Sequence, residues 1–373
     1  MTAHFTIGIE EEFQMVDRQT GQLRPCIHTI LEKGSPIFGE KIKAEMLQST
    51  VELVSDIFPN ITTARREMQN LRAMLARLVQ EEGLALISAG THPTALWQNE
   101  VRSVSDRYAE LEDELQDIAR SILIFGLHVH IGIESQDMAI PLINQLRTWL
   151  PQLLALSANS PFWAGRNTGL KSYRSVVWKS FPRSGVPDLF SSMGDLDSYV
   201  RALINTGCID NGKKIWWDVR PHPFFGTIEF RIFDMPATFE DMIALVALSQ
   251  ALVAKLAWLH KHNITIYTLP RNFIDENKWR VMRYGLDAEV IDFIHERRLS
   301  MRESLGELLD FVDDVLDDLG IRHEINYLRM LLEGPRGGGA DRQLAIYQQT
   351  GNMDAVIQFL MQQTIQGLSL IHI

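Results

Sequence analysis

The sequence predicts an α+β fold in which an antiparallel sheet carries helices on one face and leaves the other face open. Two observations predict it. Residues 5–15, 127–133 and 227–234 alternate apolar and polar side chains as half-buried strands do, and in each stretch the ionisable groups fall in phase on one side. These stretches do not alternate one for one with helices, and residues 215–220 and 227–234, joined through Pro221, His222, Pro223 and a turn at Gly226, read as a hairpin rather than a βαβ unit.

In chain order, the first strand sets Phe5, Ile7, Ile9, Glu11, Phe13 and Met15 on one face and Thr6, Gly8, Glu10, Glu12 and Gln14 on the other. A second strand is predicted over 45–54, with Glu52 in its course. Asn60 is a suitable N-cap and Gly83 a suitable stop for a helix whose stripe is Met68, Leu71, Leu75, Leu78 and Val79. Residues 84–89 form a buried strand ending in the turn Gly90, Thr91, His92 and Pro93. Tyr108, Leu111, Leu115, Ile118 and Ile122 recur at helical spacing and predict one helix over 106–125. The strand over 127–133 opposes His128, His130 and Gly132 to Leu127, Val129, Ile131 and Ile133, and a helix follows to about 158. Residues 159–192, rich in Gly, Pro, Ser and Arg, are too long for a passive connection and predict a functional loop. In the hairpin's second strand Thr227, Glu229, Arg231 and Phe233 share a face opposite Ile228, Phe230 and Ile232. A long apolar helix over 239–262 and a mostly helical part from about 263 complete the chain, with a glycine-rich break at 334–339. No linker, repeat or low-complexity tract divides it, so one domain over 1–373 is expected.

With 46% hydrophobic residues in 373, the chain can bury a large core, which excludes global disorder. No uninterrupted apolar run reaches the roughly 18–20 residues of a membrane span, so no membrane partner is expected. Lys and Arg number 36 against 47 Asp and Glu, a net charge of −11 that argues against nucleic acid as partner. Cys26 and Cys208 are too few for a disulfide framework and the first seven residues do not read as a signal peptide, which together predict a cytoplasmic protein.

If the three patterned strands share one sheet, Glu10, Glu12, His128, His130, Glu229 and Arg231 converge on its open face. Crowded carboxylates repel one another unless cations sit among them, and oxygen-rich sites with an occasional imidazole suit Mg²⁺ or Mn²⁺. Taken singly, each pattern has a plainer reading. Glu-x-Glu is commonly the solvated face of an edge strand, and His-x-His a hydrogen-bonded polar face; three in phase favour a joint site. Other signals carry less. Gly207, Gly212 and Lys213 have phosphate-loop spacing, but Lys214 stands where a Ser or Thr would hold Mg²⁺. His260 and His262 end a helix, and the acidic run from Glu303 to Asp318 is a solvated helix face.

Gly8-Ile9-Glu10-Glu11-Glu12-Phe13, Gly90-Thr91-His92-Pro93, His128-Val129-His130-Ile131-Gly132, Trp217-Asp218-Val219-Arg220-Pro221 and Gly226-Thr227-Ile228-Glu229-Phe230-Arg231 together resemble the carboxylate-amine ligase branch of the glutamate-cysteine ligase type 2 family. The resemblance implies a glutamine-synthetase-like sheet, ATP and Mg²⁺ as cofactors, and amide formation between a small-molecule carboxylate such as glutamate and an amine such as cysteine, through an acyl phosphate. By motif match it implies metal carboxylates at Glu10, Glu12, Glu52 and Glu229, with His128 on metal or phosphate. It places Arg231 on the transferring phosphoryl group, and Arg220 and His130 on the nucleotide. Arg107, Asn167 and Arg174 are further candidates for oxyanion contact, because Arg binds oxyanions bidentately. The loop at 334–339, with Arg336 and Arg342, could close over the nucleotide. The apolar tail Leu368 to Ile373 could cover an interface of a homo-oligomer, most simply a dimer. A phosphagen-type phosphotransferase and a non-catalytic, metal-stabilised binding protein are the alternative readings of the same residues.

Overall fold

A computed structural model describes residues 5–335 and 337–368; the expectations for Arg336 and for Ser369 to Ile373 lie outside the described residues. Its main sheet contains seven strands, β1 (Ile7–Asp17), β2 (Ile42–Ala44), β3 (Thr50–Val54), β4 (Leu84–Ile87), β5 (Gly126–Gly132), β6 (Val219–Pro221) and β7 (Thr227–Asp234). They run in the order β6-β7-β5-β1-β3-β2, and every neighbouring pair is antiparallel. β1 is long enough to serve two strands on one edge, pairing with β3 through Glu10 to Gln14 and with β4 through Gln14 to Asp17.

The alternation read from β1 becomes burial. Ile7, Ile9, Glu11, Phe13 and Met15 turn inward, against the helices Ile61–Glu81 and Phe239–Lys261. The first of these is capped as its sequence indicates, with the Asn60 side chain accepting from the Thr63 N–H. The second is long and apolar enough to cross a membrane, yet 89% of its apolar window is buried within the protein, so it is spent as the central core helix. Glu11 is a buried ionisable group on β1's inner face. It is fully buried and takes Arg72 Nε at 2.9 and 3.1 Å and Nη2 at 2.5 Å, while the guanidinium lies over the Phe13 and Phe239 rings. A single apolar cluster runs from Phe5 to Leu331, joining the helices after 263 to the sheet.

Local structure departs from the sequence pattern in places. The helix predicted over 106–125 stops at Leu115, where Gln116 takes a positive φ of 50°, and after a short turn Asp117–Arg120 the chain straightens until the Phe125 N–H meets the Gly90 carbonyl. Of the later stripe residues, Ile118 lies in that short turn and Ile122 in the irregular stretch that leads into β5. The strand predicted over 45–54 is confined to β3, with Glu45 in the connection from β2. A helix at Ile27–Phe38 was not anticipated, because Gly34 and Pro36 interrupt its pattern. The loop at 159–192 contains the helix Arg174–Lys179, and the C-terminal part contains a hairpin, Glu289–Asp292 with Arg297–Ser300. Gly339 already belongs to the helix Gly339–Thr350, in which buried Arg342 pairs with Asp241 of the core helix rather than facing solvent.

The turn after β4 carries a pH-sensitive element. His92 is buried, with Nε2 2.9 Å from the Gly21 carbonyl and Nδ1 accepting from the Thr94 and Ala95 N–H groups, and burial pushes it from 6.5 down to about 4. The unfolded chain therefore binds the extra proton between those values. Stability falls as pH drops from about 6.5 towards 4, by up to about 3 kcal/mol from this residue, and is unaffected by it above that window. Melting of His92→Gln and wild type across this range should show the wild type losing more; parallel losses would exclude His92 as the source.

Candidate active site

The register brings the in-phase residues together on the open face. Glu10 of β1 lies opposite His128 of β5, Gly8 opposite His130, His130 opposite Glu229 of β7, and Glu229 opposite Arg220 of β6. On the other side of β1, Glu12 lies opposite Glu52, which faces Lys43 of β2. A Cβ at Gly8 would sit 3.3 Å from the His130 Cβ, so any larger residue there would press on that imidazole.

At the centre, His128 Nδ1 lies 3.0 Å from Glu10 Oε2, and one ligand atom each from Glu10, Glu52 and His128 fall within 4.8 Å of one another. His130 Nε2 is 3.4 Å from Glu10 Oε1, buried and without an aligned hydrogen bond, while its Nδ1 meets Thr227 Oγ1 at 3.1 Å. Glu12 is held by the Gly126 N–H at 2.5 Å. Glu229 stands apart from this group. Its Oε2 receives Arg220 Nε at 2.7 Å and its Oε1 receives Arg231 Nη1 at 2.5 Å, so each carboxylate oxygen has a guanidinium. Arg220 is fixed in turn by donating to the Lys213 carbonyl at 3.0 Å and to that of Ile215.

The electrostatics follow from these partners. Burial would raise Glu229, but Arg231 and Arg220 outweigh it and hold the carboxyl well below its usual range. Burial likewise opposes Glu10, and its hydrogen bond from His128 with the nearby His130 imidazole keeps it low. His128 is pushed down to about 4 by burial and by the charge of Arg231, leaving a neutral imidazole able to ligate. Glu12 rises to about 7 through burial and the nearby Glu45, and Glu52 rises well above its usual value through burial with Glu45, Glu10 and Glu12 around it. Burial raises Glu45 as well. Four carboxylates thus crowd one region with too little positive charge, which is the condition that divalent cations relieve.

Glu45 was not legible as a site residue, because it sits in the connection between β2 and β3, outside any periodic pattern. Arg174 was a candidate and enters the site, buried beneath β7 with Nη2 3.2 Å from the Arg231 carbonyl. Trp178, one turn later on the same short helix, lies under the guanidinium of Arg231 at 5.4 Å. Arg107 is exposed against the Tyr108 ring, though its charge lowers Glu45, and Asn167 is exposed on a two-residue strand, capping the Gly169 N–H. Arg107 and Asn167 do not join the cluster.

The sequence profile described as glutamate-cysteine ligase family 2 matches residues 6–359. The chain belongs to this family. Among its relatives, a Solibacter usitatus protein is 48% identical over 364 residues, covering 97% of this chain and 94% of its own, and a Roseiflexus castenholzii protein is 46% identical, covering 98% and 96%; both carry the provisional name glutamate–cysteine ligase 2. Among solved structures, the glutamate–cysteine ligase of Francisella tularensis in complex with AMP aligns with a TM-score of 0.72 at 13% identity over 99% of this chain and 90% of that one. A bifunctional glutathione synthetase from Pasteurella multocida aligns at 0.70 and 15% identity over 97% and 52%. The fold is thereby that of the glutamate–cysteine ligases, an antiparallel sheet with helices, and this family 2 member is an ATP-dependent ligase of the glutamate–cysteine ligase type.

Proposed function

We propose that the protein joins a small-molecule carboxylate to an amine, with L-glutamate and L-cysteine as the first pair to test, by way of an acyl phosphate. The observation that supports this best is the pairing of a carboxylate and imidazole group, Glu10, Glu52 and His128, with a guanidinium pair, Arg220 and Arg231, on one sheet face. Three features of the site fit Mg²⁺, with Mn²⁺ also suited. They are the oxygen-rich donor set, the surplus of buried carboxylates, and the buried His130 Nε2 that lacks a hydrogen-bond partner. Glu10, Glu12, Glu52, His128 and Glu229 would hold the ions, which when bound neutralise charge on the nucleotide's phosphates.

A carboxylate is a poor acyl donor. Its oxygen attacks the γ-phosphorus of ATP, the bond from that phosphorus to the β–γ bridging oxygen breaks, and ADP leaves. The amine then forms a bond to the acyl carbon, phosphate departs with the former carboxylate oxygen, and the amine gives up a proton. Arg231 lies where it can stabilise the charge on the transferring phosphoryl, with Glu229 fixing its orientation, and Arg220 and His130 are the proposed nucleotide contacts. Because one core joins Phe5 to Leu331, we take the chain to act as a single catalytic domain. Cys26 and Cys208, both free, fit a reducing cytoplasm.

The test is ADP formation across a panel of acids and amines with ATP and Mg²⁺. Turnover should require acid and amine together, and carboxylate labelled with ¹⁸O should pass one labelled oxygen into phosphate. Phosphate free of label, or a stable phosphorylated product without a condensed one, would reject the acyl-phosphate route.

A further inference from the structure

The pairing of β7 with β5 slips at one point. Phe230 lies opposite Val129 and Phe233 opposite Leu127, so Arg231 and Ile232 together face the single residue His128. This is a β-bulge, and bulges re-aim side chains. Ile232 and Phe233 are both buried, and Phe233, in phase with Glu229 by sequence, turns into the core with its ring 6.2 Å from that of Phe230. Arg231 stays on the open face beside Glu229, at the kink itself. A bulged residue loses its regular ladder partners, and those of Arg231 are replaced one by one. Its N–H donates to the Asp218 carbonyl at 2.8 Å, and its own carbonyl accepts from Arg174 Nη2 at 3.2 Å.

Asp218 is in turn held from outside the sheet. Its N–H donates to the Gly185 carbonyl at 2.8 Å, and its Oδ2 receives Nζ of Lys278, from the helix Arg271–Tyr284, at 2.5 Å. The Lys278 and Asp218 side chains are 5% and 1% exposed, so water does little to screen the pair. A buried ion pair stabilises a fold no better than apolar residues of the same volume would, and its best-attested use is to specify one arrangement over others. The arrangement that depends on this one is the backbone of Arg231. We propose that Asp218 and Lys278 are positioning residues: their pair fixes the Asp218 peptide, that peptide fixes the bulge, and the bulge aims the Arg231 guanidinium at the transferring phosphoryl group. This rests on the ligase reading above. The helices after 263 thereby gain a part in the chemistry, through a lysine that reaches the reaction only by way of Asp218.

Steady-state kinetics and residue-resolved hydrogen exchange on the full-length protein test the assignment. In Lys278→Met, kcat should fall about tenfold to a hundredfold while KM for ATP and for the acid stays within about twofold, because the guanidinium is misplaced and the binding groups are not. The Arg231 amide should exchange faster in the same variant, with β1 and β5 protected as in the wild type. Lys278→Arg, which keeps the charge, should restore most of kcat. If Lys278→Met does not fold, Asp218→Asn, which keeps the volume and loosens the pair, carries the same two readouts. Unchanged kcat in a folded variant, or Arg231 exchange equal to that of the wild type, would overturn the assignment. A wild type that forms no ADP with any acid and amine would remove the ligase reading alone, and Arg231 exchange would then decide whether the pair holds the bulge: faster in the variant upholds it, unchanged rejects it.

Discussion

Glu10→Gln should lower acid- and amine-dependent ADP formation by about a thousandfold or more while leaving the fold intact. Glu10 is the carboxylate that touches both imidazoles, at 3.0 Å to His128 and 3.4 Å to His130, and it contributes to the three-residue donor group. The amide keeps its volume and can still accept from His128, so the change is one of charge. If Glu10 is a ligand of the proposed metal group, removing its charge sacrifices several kcal/mol of transition-state stabilisation, and about 4 kcal/mol is a thousandfold in rate. Stability should move the other way without divalent ions, since Glu52 and Glu45 lose a like charge beside them. The melting temperature of the variant should equal or slightly exceed that of the wild type in chelator, and its rise on adding Mg²⁺ should shrink. A variant with wild-type turnover would exclude Glu10 from the metal group.

Arg72→Met should give the largest loss of stability at a position remote from the reaction. It strands the Glu11 carboxylate, fully buried on the helix-facing side of β1, with no compensating charge. Breaking one partner of a buried pair costs about 3–5 kcal/mol, which for a chain of 373 residues corresponds to a fall of about 4–6 °C in melting temperature. Replacing both partners with apolar residues of similar volume, Glu11→Leu with Arg72→Met, should recover most of the loss. A single variant that melts with the wild type would mean that Glu11 finds another partner or takes up a proton at no cost.

These two residues also show what the sequence could convey. Alternation alone assigned Glu10 and Glu11 to opposite faces of one strand, because the period of two is fixed by backbone geometry. The neighbours of that strand followed from motifs rather than periodicity, and the register of Glu10 with His128 and of Glu229 with His130 then places the proposed site on one face. Glu45 and Trp178 escaped notice for the converse reason. One sits in a connection and the other on a six-residue helix inside a long loop, and neither position repeats with any period. Glu229 was grouped with the metal carboxylates because its phase matched theirs. Phase specifies a face but not every neighbour a side chain will reach, and the two guanidiniums that meet Glu229 were not legible from it. The helix forecast over 106–125 overran for a related reason, since a helical stripe does not reveal where tertiary contacts will claim its last residues.

The sheet order bears on when the protein can become an enzyme during its synthesis. The first strand emerges at residues 7–17, but the partner that supplies His128 is made more than a hundred residues later, and the strand with Glu229 and Arg231 a further hundred after that. Until then the apolar side of β1 waits without the core helix Phe239–Lys261 that covers it, and closing such long loops is slow compared with forming local helices. The nascent chain should therefore be at its most vulnerable to aggregation over the middle third of translation, and competence to bind nucleotide should arrive abruptly, once the residues near 260 have cleared the ribosome.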